Sequence, residues 1–309
     1  MNQRIHRALV ALGLVMQFGV PTQARSQVGE FAAQAALFNY DSTIPLGVKE
    51  AGAQRVAGAT VRDITFNALS GADVKAYVIQ PDGKGPFPGV LWVHWLGEPE
   101  TTNRREFLKE AAALASRGIA SVLVDAMWAE PDFYGKRNPE HDYDNTIRQV
   151  ISLRRGMDLL LAQSGVDPGR VAFVGHDYGG MFGMLMAGID PRARTYVYVA
   201  VVPSLSDWAF FGAQPRSKTE YLRRNAVFEL TDYLRQVKNA TTLLQFGSRD
   251  VYVARASTGV VAAAARTRDR KFYEAGHDMN LPQIVEDRDA WLLKELGVSL
   301  VAPEPAVKK

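Results

Sequence analysis

One segment of this 309-residue chain constrains its fold more than any other, the sequence Gly-His-Asp-Tyr-Gly at 175–179. It follows a short apolar run at 170–174 that is typical of a buried strand. It precedes a run of glycines and apolar residues at 180–187 that is typical of a buried helix. A strand that turns sharply into a helix is the repeating unit of a parallel sheet covered by helices. The segment therefore predicts an α/β fold.

The rest of the chain alternates in the same way. Two strands at 59–66 and 74–79 are predicted to form a hairpin, and apolar strands then alternate with amphipathic helices as far as residue 296. This order predicts one mostly parallel sheet with helices on both faces. We expect a lead-in at 25–58, one domain at 59–300 and a loose tail at 301–309.

The first residues have the pattern of a secretory signal. Arg4 and Arg7 precede an apolar stretch at 8–20 that is too short to span a bilayer comfortably. Small residues then lead to a cleavage point after Ala24. We expect residues 1–24 to be a signal peptide and the protein to be exported to the periplasm or secreted, without a later membrane span. A buried N-terminal helix is the alternative.

Charge and cysteine content exclude several classes of protein. The chain has 36 basic and 33 acidic residues, and removal of the two arginines in the predicted signal leaves 34 and 33, a net charge of +1. This balance argues against a nucleic-acid or anionic-membrane partner. The absence of cysteine excludes disulfides, a thiolate nucleophile and Cys-ligated metals. We predict no metal and no cofactor, and a small-molecule substrate as the partner.

Three residues, in chain order, form a candidate catalytic set. Asp177 occupies the turn in which the pattern Gly-x-Ser-x-Gly places a nucleophilic serine. Asp250 and His277 each follow a predicted strand, at 242–246 and 271–273, so that all three residues reach the same edge of the sheet. Each residue alone also fits a turn or a helix cap. Their order and local contexts together indicate a hydrolytic site.

Hydrolysis also needs donors for a developing negative oxygen and a cavity for the substrate. We assign the oxyanion hole to the backbone N–H groups of Trp95 and Tyr178. Trp128, Tyr134 and Trp208 are predicted to line the substrate pocket. For the indoles of Trp95 and Trp128, the alternative is packing in the core or at the rim.

Residues 203–240 interrupt the alternation and are dense in aromatic side chains. We predict that this segment forms a small lid over the site, and an ordinary crossover helix is the alternative.

Three tyrosines and three histidines complete the predicted assignments. The candidates for an acid that would assist a leaving oxygen are Tyr134, Tyr178 and Tyr221. The histidines interpreted as structural are His94, His141 and His176.

From about residue 86 to residue 296 the chain resembles the dienelactone hydrolase-like group of α/β-hydrolases. The resemblance is carried by the segments 86–94, 166–175 and 247–250. It implies an α/β-hydrolase fold with an eight-stranded sheet, and hydrolase activity. The sequence departs from that group at position 177, where Cys or Ser is expected. Gly-His-Asp-aromatic-Gly is instead similar to haloalkane dehalogenases and epoxide hydrolases, which usually carry a larger cap.

The carboxylate at the turn distinguishes between possible reactions. It is ionised at neutral pH and needs no base before it attacks. Attack of Asp177 on an sp3 carbon gives a stable alkyl ester, which His277 and Asp250 can hydrolyse by activating water. We therefore expect cleavage of a carbon–halogen or epoxide bond. Ester or lactone hydrolysis, with Asp177 as nucleophile or general base, is the second hypothesis. An inactive binding protein is the third, and the intact His–Asp pair argues against it.

Overall fold

The computed structural model of the chain describes residues 22–299. Two compact units divide after Leu37: helix α1 (Thr22–Ala36) belongs to the first unit, and the sheet with the later helices belongs to the second. The predicted signal peptide at 1–24, except its last three residues in α1, and the predicted tail at 301–309 lie outside the described residues.

The second unit is built from alternating strands and helices. The strands are β1 (Lys49–Val56), β2 (Ala59–Asn67), β3 (Asp73–Pro81), β4 (Phe87–Val93), β5 (Ala120–Val124), β6 (Val166–His176), β7 (Thr195–Val199), β8 (Thr241–Gly247) and β9 (Arg270–Tyr273). The helices are α2 (Leu108–Ala115), α3 (Phe133–Lys136), α4 (Asp142–Leu161), α5 (Tyr178–Ile189), α6 (Lys218–Asn225), α7 (Leu230–Gln236), α8 (Arg255–Ala265) and α9 (Pro282–Glu295).

The nine strands form one sheet in the order β1-β2-β3-β5-β4-β6-β7-β8-β9. Strands β1, β2 and β3 are antiparallel, as is the β3–β5 pair, and the remaining pairs are parallel. The predicted α/β-hydrolase fold is confirmed, but the sheet has nine strands in place of eight. The added strand, β1, lies in the segment predicted as a lead-in. It is exposed along nearly its whole length, so no apolar periodicity marks it.

The core lies on both faces of the central parallel strands. Strands β4, β5 and β7 are buried at every position, as expected for strands covered on two sides. Helices α4, α5, α7 and α8 pack against one another in that order on one face. On the other face α2 and α9 are joined by an ion pair between Glu110 and Arg288. The parallel strands therefore end at one edge of the sheet, between the two layers of helices.

The segment at 203–240 connects β7 to β8 and has two structurally different halves. Its first half contains α6 and places the buried Trp208 near the sheet edge. Its second half is α7, which packs closely against α5, where the backbone of Tyr233 meets Gly188. Within residues 22–299, no helix is long and apolar enough to cross a membrane.

Candidate active site

The turn between β6 and α5 holds Asp177 in a strained backbone conformation, with φ 55° and ψ −123°. Positive φ is costly for a residue with a Cβ atom, and such strain is concentrated at functional sites. The flanking glycines make the turn sterically possible. A Cβ atom on Gly175 would lie 2.6 Å from the carbonyl group of Gly179, and one on Gly179 would lie 2.3 Å from the carbonyl oxygen of Val93. The turn thus presents Asp177 at the edge of the sheet.

The structure brings the three predicted catalytic residues together. His277 Nδ1 lies 2.7 Å from Asp250 Oδ2, and His277 Nε2 lies 3.5 Å from Asp177 Oδ1. The other oxygen of Asp250 accepts hydrogen bonds from the backbone N–H groups of Tyr252 at 2.8 Å and Val253 at 3.1 Å. Asp250 therefore orients the imidazole so that its Nε2 faces Asp177.

The charges of this set are mutually stabilising. Burial lowers the pKa of His277, but hydrogen bonds and charges from Asp177 and Asp250 outweigh burial and raise that pKa to about 9. Burial raises the pKa of Asp250, but the hydrogen bonds from His277, Tyr252 and Val253 outweigh it and hold that pKa below its usual value. At neutral pH the resting site is therefore a cation between two carboxylates.

The backbone donor that faces Asp177 belongs to Leu96. Its N–H donates to Asp177 Oδ2 at 2.8 Å. The N–H of Trp95 instead donates to Glu106 Oε2 at 2.7 Å, so the prediction for Trp95 is wrong by one residue. Glu106, which the sequence did not single out, takes the Trp95 N–H and thereby turns the next peptide toward Asp177. Tyr178 opens α5, so its N–H has no partner within the helix, as the prediction requires.

A cavity of about 570 Å³ opens in front of Asp177 and His277. Its lining consists of Trp95, Leu96, Gly97, Glu98, Tyr134, Asp177, Trp208, Phe211, Tyr252, His277 and Asp278. Tyr134 and Trp208, two of the residues predicted for the substrate pocket, are among them. Tyr252 and Phe211 were missed, although the position of Tyr252 two residues after Asp250 was a usable signal. The rings of Tyr252 and Trp208 lie 5.1 Å and 5.4 Å from the His277 ring.

Trp128 does not line this cavity, which corrects its assignment to the pocket. Its side chain is fully buried, and its indole N–H lies 3.2 Å from the carbonyl oxygen of His94. Nε2 of His94 accepts the Ala126 N–H at 2.9 Å, and its Nδ1 lies 2.8 Å from the Trp95 carbonyl oxygen. Burial lowers the pKa of His94, which suits a neutral structural imidazole. The Trp95 indole is also engaged, donating to Thr101 Oγ1 at 2.9 Å.

A smaller cavity of about 190 Å³ is bordered by Tyr178. It is lined in part by Phe133, Arg137 and Tyr221. Tyr221 donates to Asp142 at 2.7 Å, away from Asp177, so it is not placed to assist chemistry there. Among the described residues, no group of three or more His, Cys, Asp or Glu side chains could hold a metal ion.

A strained strand-to-helix turn at the carboxyl edge of a mostly parallel sheet, with an Asp–His pair beside it, is typical of α/β-hydrolases, in which a serine usually occupies the position of Asp177. A model described as the alpha/beta hydrolase family matches residues 85–303, and the chain belongs to that family. A search among curated proteins finds no significant match.

Solved structures with this fold include several esterases. Acetyl xylan esterase 1 from Thermoanaerobacterium sp. JW/SL YS485 is 15% identical with a TM-score of 0.65, covering 90% of this chain and 99% of its own. The acetyl xylan esterase from Paenibacillus sp. R4 is 18% identical with a TM-score of 0.65, covering 87% and 93%. The S-formylglutathione hydrolase from Agrobacterium tumefaciens is 14% identical with a TM-score of 0.60, covering 81% and 100%. At these identities the likeness concerns the fold.

Proposed function

We propose that this protein is a hydrolase in which the Asp177 carboxylate attacks an sp3 carbon that carries a halogen or an epoxide oxygen. The observation that carries the proposal is the hydrogen bond from the Leu96 N–H to Asp177 Oδ2 at 2.8 Å. In a serine hydrolase such a donor forms a hydrogen bond to the carbonyl oxygen of the substrate. Here it faces an oxygen of the nucleophile itself, which is the oxygen that becomes an oxyanion when water attacks an Asp177 ester.

The first step transfers the substrate carbon to the enzyme. Asp177 Oδ1 forms a C–O bond as the C–halogen bond breaks, and the halide leaves with the bonding electrons. With an epoxide, the ring C–O bond breaks and the alkoxide must take a proton. Among the three tyrosines considered, Tyr134 is the one that lines the cavity with Asp177. Burial raises the pKa of Tyr134, which keeps its hydroxyl protonated and able to donate.

The second step hydrolyses the ester. Once Asp177 is esterified its negative charge is gone, and His277 loses one of the two anions that raise its pKa. The lowered pKa lets His277 release its proton to solvent, and the neutral imidazole then takes a proton from water. The hydroxide attacks the Asp177 carboxyl carbon, and the N–H groups of Leu96 and Tyr178 stabilise the oxyanion. Collapse releases the alcohol and restores the carboxylate. The change in charge on Asp177 thus makes His277 a base at the step that needs one.

Hydrolysis of an ester or lactone is the second candidate. The fold comparisons favour it, because the similar solved structures are named as acetyl xylan esterases and an S-formylglutathione hydrolase. On this route Asp177 would form a mixed anhydride or would act as a base toward water. The substrate carbonyl would also have to displace Asp177 Oδ2 from the Leu96 N–H. The site geometry therefore favours the first candidate.

A trapping experiment distinguishes the two candidates. The variant His277→Gln is exposed separately to 1-chlorobutane, 1,2-epoxybutane and 4-nitrophenyl acetate, and intact mass is measured. We expect an adduct of the alkyl or hydroxyalkyl group on Asp177, and no stable adduct with the acetate. Two variants are the controls. His141→Gln changes an exposed histidine, and Asp177→Asn lacks the proposed nucleophile.

Isotope labelling tests the same step in the wild type. After a single turnover in heavy-oxygen water with enzyme in excess, the peptide containing Asp177 should carry the label. Turnover of the halide or epoxide with label in the product alone would contradict the proposal. Turnover of the acetate alone would replace it with the second candidate.

A further inference from the structure

A second buried pair, Glu106 and His176, lies directly behind the Asp–His–Asp set. Glu106 Oε1 is 2.7 Å from His176 Nδ1, and the other carboxylate oxygen accepts the Trp95 N–H at 2.7 Å. His176 Nε2 is 2.9 Å from the carbonyl oxygen of His277. His176 is 2% exposed, so these contacts are formed away from solvent. Both ring nitrogens of His176 therefore face oxygen atoms.

The hydrogen bonds limit the protonation states that fit this geometry, because each ring nitrogen of His176 needs a proton in its contact with oxygen. A carboxyl group is a stronger acid than an imidazolium, so the proton shared with Glu106 is placed on the ring. A carbonyl oxygen only accepts, and a carboxylate that already accepts one N–H is also an acceptor. A neutral imidazole supplies one N–H, whereas an imidazolium supplies two. The Trp95 ring stacks on His176 at 5.1 Å with an angle of 6° between the planes, an arrangement that favours a cation. The other titratable or charged groups near the pair include the buried His94, Asp177, His277 and the buried Arg288.

We propose that His176 is a buried imidazolium paired with the Glu106 carboxylate, and that this pair positions both the oxyanion donor and the catalytic histidine. Glu106 accepts a hydrogen bond from the Trp95 N–H, and this orients the next peptide so that the Leu96 N–H donates to Asp177. His176 Nε2 contacts the backbone carbonyl oxygen of His277, and this contact fixes the His277 imidazole at 3.5 Å from Asp177. One ion pair thus fixes two loops relative to the turn. The kinetic consequence rests on the function proposed above, whereas the charge state does not.

The charge state is measured without any substrate. Nitrogen-15 spectra of the histidine rings in the wild type at pH 7 should show protons on both ring nitrogens of His176, with the signal assigned by its loss in His176→Gln. In Glu106→Gln the amide can donate to Nδ1, so the ring should become neutral with a proton on Nε2 alone. Glu100→Gln removes an exposed carboxylate from the same loop and should leave the spectrum unchanged. A neutral His176 ring in the wild type would overturn the proposal.

The positioning role is tested by separating the two reaction steps. Esterification of Asp177 uses neither the oxyanion donors nor His277 as a base, whereas hydrolysis of the ester uses both. Glu106→Gln should therefore slow ester hydrolysis roughly 10–100-fold and change the esterification rate less than about threefold. Equal slowing of both steps, or of neither, would contradict the role. If the wild type forms no Asp177 ester, the proposed function fails, and the spectra still decide the charge of His176.

Discussion

At the scale of single residues, a carboxylate at position 177 changes the surroundings of His277. A serine there would leave His277 with one neighbouring anion, Asp250, whereas Asp177 adds a second. Burial lowers the pKa of His277, but the two carboxylates outweigh it and raise the pKa to about 9. The histidine is therefore held in its charged form at neutral pH. On the function proposed above, a neutral base arises when Asp177 is esterified.

This raised pKa predicts how the stability contributed by His277 depends on pH. A histidine whose pKa is higher in the folded state stabilises the fold fully below its unfolded pKa of 6.5, and the contribution is lost as pH rises through about 9. His277→Gln should therefore lower the free energy of unfolding by about 2–3 kcal/mol more at pH 6 than at pH 10. Urea unfolding at both pH values measures this difference. The exposed His141→Gln is the control, and a loss that is equal at the two pH values would contradict the prediction.

At the scale of elements, the turn between β6 and α5 depends on close backbone contacts that a methyl group would break. A Cβ atom on Gly179 would lie 2.3 Å from the carbonyl oxygen of Val93, a contact with backbone that cannot simply move aside. In α8, a Cβ atom on Gly259 would have its nearest neighbour 3.7 Å away, at the end of the flexible Arg270 side chain. The two glycines therefore serve as a matched pair.

Gly179→Ala should destabilise the protein by at least about 2 kcal/mol and, on the function proposed above, abolish esterification of Asp177. Gly259→Ala should stabilise it by about 0.5–1 kcal/mol, because alanine restricts the unfolded chain and favours the helix. Thermal and urea unfolding of both variants measure the effects. A Gly179→Ala protein as stable and as reactive as the wild type would show that the turn tolerates a side chain.

Some elements of this fold can be predicted from the sequence and others cannot. Strands such as β4 and helices such as α4 carry long apolar patterns, so their existence and order were predictable. The edge strand β1 carries no such pattern, since it is exposed along nearly its whole length. The backbone donor that faces Asp177 was predicted one residue too early, because the choice between Trp95 and Leu96 depends on Glu106, eleven positions after Trp95. Contacts of that kind leave no local periodicity.

At the scale of the whole molecule, the two helices on the second face of the sheet are held by a buried charge cluster. Arg288 in α9 lies 2.7 Å from Glu110 in α2, through Nε and Oε1, and donates to Gln245 in β8 at 2.9 Å. The neighbouring Asp289 has a pKa raised to about 8, first by burial and then by the charge of Glu110. The cluster therefore contains a carboxyl group that is protonated at neutral pH.

A raised carboxyl pKa makes the folded state less stable as pH rises, because the native protein must release a proton that the unfolded chain has already lost. The loss should run from the usual pKa of 3.8 up to about 8. Asp289→Asn removes this titration. The free energy of unfolding of the variant, relative to that of the wild type, should be roughly 1–2 kcal/mol higher at pH 9 than at pH 5, a value discounted for partial exposure. Asp269→Asn, at an exposed position, is the control. Equal effects at both pH values would contradict the prediction.

The carboxylate at the β6–α5 turn also decides which chemical reagents can detect this protein. Fluorophosphonates label hydrolases because a serine hydroxyl forms a durable phosphoryl ester, and position 177 offers no hydroxyl. A phosphorylated carboxylate is a mixed anhydride that water cleaves, so no lasting mark remains. Activity surveys built on such probes therefore pass over a chain of this kind. On the function proposed above, alkylating probes, which esterify a carboxylate, are the reagents suited to it.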